Sequence, residues 1–418
     1  MPGNLIIRNA SQVVTCSGVT SKRGAQMAEL GVIENGAVMI EDGIIRAVGP
    51  TAQVLPADIS GYRTIDAAGR AVLPGFVDSH THLVFGGFRA EEFGWRLRGM
   101  RYMEIMQRGG GIVSTMQATR QASREELYAA ARGRLDTLLS FGVTTVEGKS
   151  GYGLDLNTEL RQLEVMRDLA ATHPVEVIPT FMGAHAVPPE YKGRTDAYIA
   201  FLIDTVLPAV ADQKLARFCD IFCEQNVFSI EQSRRLLTRA RHLGFGLKLH
   251  ADEIVRIGGA ELAAEVGAVS ADHLLQASDQ GIAALSAAGV VATLLPGTAF
   301  SLKEPYARGR FMIDQGCAVA LASDLNPGSC FTESMPLIVA LACLYMGLTP
   351  EEAISAATLN GAAALDMAGT IGSLDPGKQA DLVILEFPTY DFIPYHIGVS
   401  TVQTVIKKGR VVYEKKSV

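Results

Sequence analysis

The chain has 418 residues, 48% of them hydrophobic, and 37 lysines and arginines against 44 aspartates and glutamates leave a formal charge of −7. That length and apolar content suit one large domain plus a small one around a sizeable core. The mildly acidic balance, with no basic stripe, argues against a nucleic-acid partner, and no apolar run is long enough to span a bilayer.

The first residues, Met1-Pro2-Gly3-Asn4, are not followed by the charged and then apolar run of a signal peptide. Residues 5–10 read as a strand, and 36–40 with 43–49 as a hairpin turning at Glu41-Asp42-Gly43. Short β-branched runs then recur, ending near Asp78, Glu147, Phe181, Phe222, Leu249, Ala271, Leu295 and Ser323. Helical patterns lie between and after them at 124–140, 159–171, 231–243 and 351–365. Strand texture returns at 380–385, 402–406 and 409–413.

Eight runs alternating with helices favour a parallel sheet with right-handed crossovers. The predicted fold class is therefore α/β: a (β/α)₈ TIM-type barrel over residues 71–365, with a small β-sandwich domain formed from both chain termini, 1–70 and 366–418. A doubly wound open sheet is the alternative, but no glycine-rich dinucleotide fingerprint follows the first run. Gly109-Gly110-Gly111 reads as a hinge or tight turn rather than a phosphate cradle. The six cysteines sit mostly in apolar runs, as thiols of a reduced, cytoplasmic protein do; Cys219 and Cys223 read as core thiols rather than a metal clip.

The chemistry concentrates at the ends of the runs. In Asp78-Ser79-His80-Thr81-His82 the alternation of strand side chains sends both imidazoles to one face. Neutral imidazole suits zinc, iron or nickel. His250 ends another run in Gly246-Leu247-Lys248-Leu249-His250, and Asp324 follows the eighth. Three imidazoles and a carboxylate at strand ends make a complete set of ligands for one catalytic metal with room for water. His273, after the sixth run, reads as a hydrogen-bonding group beside that site rather than a fifth ligand. Glu253, three residues after His250, is placed to serve as general base or proton shuttle.

Together these motifs resemble the amidohydrolase superfamily, and most closely its mononuclear branch of deaminases and cyclic amidases. The binuclear members carry a modified lysine after the fourth strand, where this chain has Asp220-Ile221-Phe222-Cys223-Glu224. Long stretches extend the likeness over nearly all of the chain: His82-Leu83-Val84-Phe85-Gly86-Gly87 with Arg89, Gly109-Gly110-Gly111-Ile112, Lys149-Ser150-Gly151-Tyr152-Gly153, Gly183-Ala184-His185, His250-Ala251-Asp252-Glu253 and Asp324-Leu325-Asn326-Pro327-Gly328-Ser329. Gly148 and Cys330 depart from the pattern without replacing a functional side chain.

The resemblance implies hydrolysis of a small anionic cyclic amide, an imidazolone ring bearing a propionate tail. It assigns one zinc or iron ion to His80, His82, His250 and Asp324. It assigns catalysis to Glu253, His273 and Asp324, and substrate contacts to Arg89, Tyr152, His185, Glu253, Asn326, Gly328 and Ser329. A planar guanidinium suits Arg89 for the carboxylate tail. The resemblance also implies a homodimer with no membrane partner.

Overall fold

The structure, a computed structural model, describes residues 4–100, 104, 108 and 110–416; Met1, Pro2, Gly3 and Gly109 of the sequence reading lie outside them. The N-terminal part is built from β1 (Leu5–Val14), β2 (Val32–Glu41), β3 (Ile44–Pro50), β4 (Arg63–Asp66) and β5 (Val72–Pro74). β1 pairs antiparallel with β2 and β2 with β3, and β4 and β5 run parallel to β1. The β2–β3 turn comes where expected, with Asp42 and Gly43 both at positive φ, 51° and 79°. This is the twist that a tight hairpin requires.

Each of the eight predicted runs is a strand: β6 (Phe76–Asp78), β7 (Val143–Lys149), β8 (Glu176–Ala184), β9 (Phe218–Cys223), β10 (Gly246–Ala251), β11 (Ser270–His273), β12 (Val291–Leu294) and β13 (Val319–Leu321). They pair in parallel and in chain order from β6 to β13. The ring is drawn shut beyond the strand ends. Thr81 bridges to Leu325, His82 N–H donates to Leu325 O at 2.9 Å, and Asp324 N–H donates to His80 O at 3.0 Å. Below them the Asp78 carboxylate accepts from Ser323 N–H at 2.9 Å and Ser323 Oγ at 2.6 Å. The barrel is thus stitched shut beside the candidate ligands.

Helices cover the outside. Arg124–Ser140 and Ile230–His242 start in capping boxes, Ser123 with Glu126 and Ser229 with Gln232; such caps contribute about 1 kcal/mol each. The helix predicted at 351–365 is instead two, Pro350–Ala357 and Leu359–Ala363, broken at Thr358 with φ −125° and ψ −91°. The break turns Asn360 inward, where its amide donates to Val319 O at 2.8 Å and Lys22 O at 3.0 Å. Gly361 then lies so near β6 that a Cβ would meet Val77 O at 2.6 Å. Periodicity alone does not register such a tertiary anchor.

The last three strands, β14 (Leu382–Leu385), β15 (Val402–Lys407) and β16 (Arg410–Glu414), join the N-terminal ones in the order β16-β15-β14-β5-β1-β2-β3, with β4 paired to β1. The two termini meet where β14 runs antiparallel to β5. Their shared core includes Ile7, Val38, Ile40, Val72, Leu382, Ile384 and Ile406, all buried. Burying each such side chain contributes about 1.5–3 kcal/mol. Among the described residues no helix is long and apolar enough to cross a membrane. All six cysteines are unpaired, and Cys219 and Cys223 are fully buried in the apolar core.

Candidate active site

At the C-terminal ends of the barrel strands, the residues singled out by their sequence pattern come together. His80 Nε2 lies 3.5 Å and His82 Nε2 3.8 Å from Asp324 Oδ1, and His250 Nε2 lies 3.4 Å from His82 Nε2. His80 and His250 also stand close, with ring centroids 4.5 Å apart. All four side chains are nearly inaccessible to solvent. Burial holds the three imidazoles well below the usual histidine range and pushes the Asp324 carboxyl up to about 7.

The donor set fits a cation. His80 Nε2 has no hydrogen-bond partner although it is buried. The other nitrogens of His80 and His250 face carboxylates: His80 Nδ1 is 2.6 Å from Asp272 Oδ2, and His250 Nδ1 is 3.2 Å from both oxygens of Asp220. A carboxylate on Nδ1 holds the proton there and turns the Nε2 lone pair toward the shared space. Asp324 Oδ2 accepts from Thr298 Oγ1 at 2.5 Å, leaving Oδ1 for the cluster. Imidazole and carboxylate donors of this kind are suited to zinc or iron.

Backbone strain marks the rim. Asp252, His273, Leu274 and Asp324 have φ of 48°, 74°, 61° and 52°. Each costs on the order of 1–3 kcal/mol and persists only where surrounding contacts over-determine it. At Asp252 those contacts are visible: its Oδ1 accepts from Ile257, Gly258 and Gly259 N–H and its Oδ2 from Ala260 N–H.

The neighbouring Glu253 and His273 face one another, with Oε1 3.6 Å from Nδ1. Burial, reinforced by the charge of Asp324, raises the Glu253 carboxyl to about 8; burial lowers His273 to about 4. Neither ring nitrogen of His273 has a hydrogen-bond partner, so a neutral N–H is free to donate into the site. His185 stacks on His82 at 4.7 Å and donates its Nδ1–H to Gly151 O at 3.1 Å. It stands nearer the ligands than its sequence position suggests: one nitrogen each of His82, His185 and His250 lie within 4.8 Å of one another. Tyr152 is buried beside both, 5.7 Å from the His82 ring and 5.2 Å from His185.

The remaining substrate candidates form a second group. Arg89 Nε and Nη2 bond to Glu92 at 2.9 and 2.5 Å, while Nη1 lies over Gly328, where a Cβ would come within 2.2 Å of it. The Asn326 side chain is spent on its own loop: Oδ1 accepts from Gly328 and Ser329 N–H, both at 2.8 Å, and Nδ2 donates to Asp324 O and Ser329 Oγ. It shapes the turn that carries Gly328 and Ser329.

Several residues of the site were missed by pattern. Glu92 holds Arg89 and also accepts from Gly111 N–H at 2.7 Å. Glu159 receives Gly151, Gly153 and Leu154 N–H and so shapes the loop bearing Tyr152. Glu224 receives Ile254 and Val255 N–H just after Glu253. Lys149, Glu147, Asp220, Lys248 and Asp272 form a charged floor beneath the histidines. A signal for them was present: charged residues at alternate positions of otherwise apolar strands, such as Glu147 and Lys149, or Lys248 and His250.

A model of the amidohydrolase family matches residues 63–108 and 98–413. The chain is 60% identical to the imidazolonepropionase of Clostridium tetani over 99% of each chain. It is 62% identical to that of Parabacteroides distasonis over 97% of this chain and 98% of the other. Solved structures share the fold at lower identity. A zinc-bound adenosine deaminase from Xanthomonas campestris has a TM-score of 0.70 at 20% identity, covering 98% of this chain and 93% of its own. A 5-methylcytosine deaminase from Klebsiella pneumoniae has a TM-score of 0.72 at 19% identity, covering 99% of each.

Proposed function

Because the chain belongs to the imidazolonepropionase family of amidohydrolases, we propose that its barrel mouth hydrolyses 4-imidazolone-5-propanoate to N-formimidoyl-L-glutamate, a step of histidine degradation. The enzyme is a hydrolase acting on a C–N bond of a cyclic amide. The observation that carries the reading within this chain is the approach of His80 and His82 Nε2 to Asp324 Oδ1, and of His250 Nε2 to His82 Nε2, at the C-terminal end of the strands.

His80, His82, His250 and Asp324 would hold one zinc or iron ion. An ion held there would supply Lewis acidity, which lowers the pKa of a water toward ~7 and polarises a carbonyl. With a cation offsetting the Asp324 charge that helps to raise Glu253, the Glu253 carboxylate would accept the proton of the attacking water, with Asp324 sharing that task. His273, neutral and with an unpaired N–H, stabilises the negative charge that develops on the carbonyl oxygen. The ring C–N bond breaks as the carbonyl carbon becomes a carboxyl, and Glu253 delivers its proton to the departing nitrogen.

Arg89 binds the propionate through Nη1, while Glu92 keeps the guanidinium plane fixed. Tyr152 and His185 border the ring, and backbone groups of Gly328 and Ser329, ordered by Asn326, complete the cradle. On the same reading, residues 1–70 with 366–418 form one domain and 71–365 the catalytic one, in a cytoplasmic homodimer without nucleic-acid partners.

The test is spectrophotometric: loss of the imidazolone chromophore with purified protein, before and after chelation. Metal-dependent loss is expected. Ammonia release from a nucleobase in its place, with no action on imidazolonepropanoate, would overturn the reading.

A further inference from the structure

Beneath the histidines lies a set of charges of which the site as described uses only Asp220 and Asp272, behind His250 and His80. Lys149 Nζ is 2.6 Å from Asp220 Oδ2, 3.0 Å from Glu147 Oε2 and 3.4 Å from Asp272 Oδ2. Lys248 Nζ is 2.7 Å from the same Glu147 oxygen and 3.2 Å from Ser79 O. Thr180 Oγ1 donates to the other Glu147 oxygen at 2.5 Å, and Ser270 Oγ to Asp272 Oδ1 at 2.7 Å. All five charged side chains have no exposure to solvent.

The arrangement is asymmetric in a way that packing does not require. Asp220 and Asp272 each look two ways, down to Lys149 and up to a histidine: Asp220 to His250 Nδ1, Asp272 to His80 Nδ1. Among the described residues, Lys149 is the cation that contacts both carboxylates that orient two imidazoles. Two lysines stand against three carboxylates, so the floor keeps a single net negative charge beneath a site suited to a cation. Without Lys149 the three carboxylates would face each other in a dry interior with only Lys248 between them. Uncompensated buried charge of that kind forces side chains apart or out of their ionised form.

We propose that Lys149 is a positioning residue of the metal centre: by holding Asp220 and Asp272 together it keeps the Nδ1 protons of His250 and His80 in place and their Nε2 atoms turned to the ion. The proposal rests on the metal site argued above. Its mechanism is electrostatic, which distinguishes it from a role in filling space. Removing Lys149 damages metal binding because a carboxylate is left over, so removing a carboxylate as well repairs it. Glu147 is the one to remove, since it touches Lys149 and Lys248 but orients neither His80 nor His250.

The experiment measures zinc affinity of the full chain by competition with a chromophoric chelator. Wild type, Lys149→Met, Glu147→Gln/Lys149→Met and Asp272→Asn are compared, with circular dichroism to follow folding. Loss of a partner behind a ligating histidine weakens metal binding roughly 10–100-fold. That loss is expected for Lys149→Met and for Asp272→Asn, with the double variant recovering most of it. Folding of the double variant where Lys149→Met alone fails to fold is the same rescue in another form.

Wild-type affinity in Lys149→Met, or a double variant as weak as the single one, overturns the proposal. If neither lysine variant folds, Asp272→Asn decides, and unchanged affinity there overturns it. Failure of wild type itself to bind one zinc per chain would strike the metal site and not this inference.

Discussion

Glu253 Oε1 lies 3.6 Å from His273 Nδ1, outside hydrogen-bond range, Glu253 just past the end of β10 and His273 at the end of the adjoining β11. The pair is thus poised around a space and not bonded across it, as an acid–base residue and an oxyanion donor must be. Glu253→Gln keeps the shape and removes the proton acceptor. Turnover is expected to fall about 10²–10⁴-fold with one metal per chain retained, measured by steady-state kinetics beside elemental analysis. Wild-type turnover in the metal-loaded variant would remove Glu253 from the mechanism.

The same carboxyl makes a stability prediction. Burial raises it from an ordinary 4.5 to about 8 in the metal-free protein. The folded chain therefore holds this proton more tightly than the unfolded chain does. Its contribution to stability is complete below about pH 4.5 and is lost as pH rises toward 8, on the order of a few kcal/mol at most. In metal-free protein, Glu253→Gln should gain melting temperature relative to wild type between pH 5 and pH 8. A difference that stays flat or shrinks over that range contradicts the burial argument.

His273 can be tested apart from Glu253. With both ring nitrogens unpaired, removing the ring leaves no structural hydrogen bond broken. His273→Ala should keep its metal and its fold while kcat drops about 10²–10³-fold, the usual cost of one oxyanion donor. A change confined to KM would assign His273 to ground-state binding.

Arg89 is held at Nε and Nη2 by Glu92, so the part left for a ligand is Nη1 and its charge. Arg89→Met is expected to raise KM for imidazolonepropanoate, by about 1.5–3 kcal/mol if a charged hydrogen bond is lost. A substrate analogue with a neutral tail should show no such penalty. Equal losses for both would move the carboxylate elsewhere.

Gly361 offers a purely structural check. Its Cβ would come within 2.6 Å of Val77 O in β6, and overpacking against backbone costs about 1–3 kcal/mol. Gly361→Ala should lower the melting temperature while zinc stoichiometry and KM stay unchanged, since it lies away from the strand ends that carry the ligands.

What was legible in the chain follows from local physics. Strand alternation put His80 and His82 on one face, β-branched runs of a few residues marked all eight barrel strands, and the position of His250 and Asp324 at run ends pointed to one shared site. Helix 124–140 was readable because Ser123 and Glu126 cap it within a single turn. The break at Thr358 was not, because its cause lies in Asn360 and Gly361 reaching strands far away in sequence. The charged residues of the floor left a mark in their own strands, but their pairing was not legible, for the same reason. Lys149 meets Asp220 across 71 residues, and His80 meets Asp272 across 192. Residue type and periodicity determine which way a side chain faces along its own strand. Only closure of the barrel decides which charges from different strands become neighbours, because that depends on register and strand order and not on any short stretch of sequence.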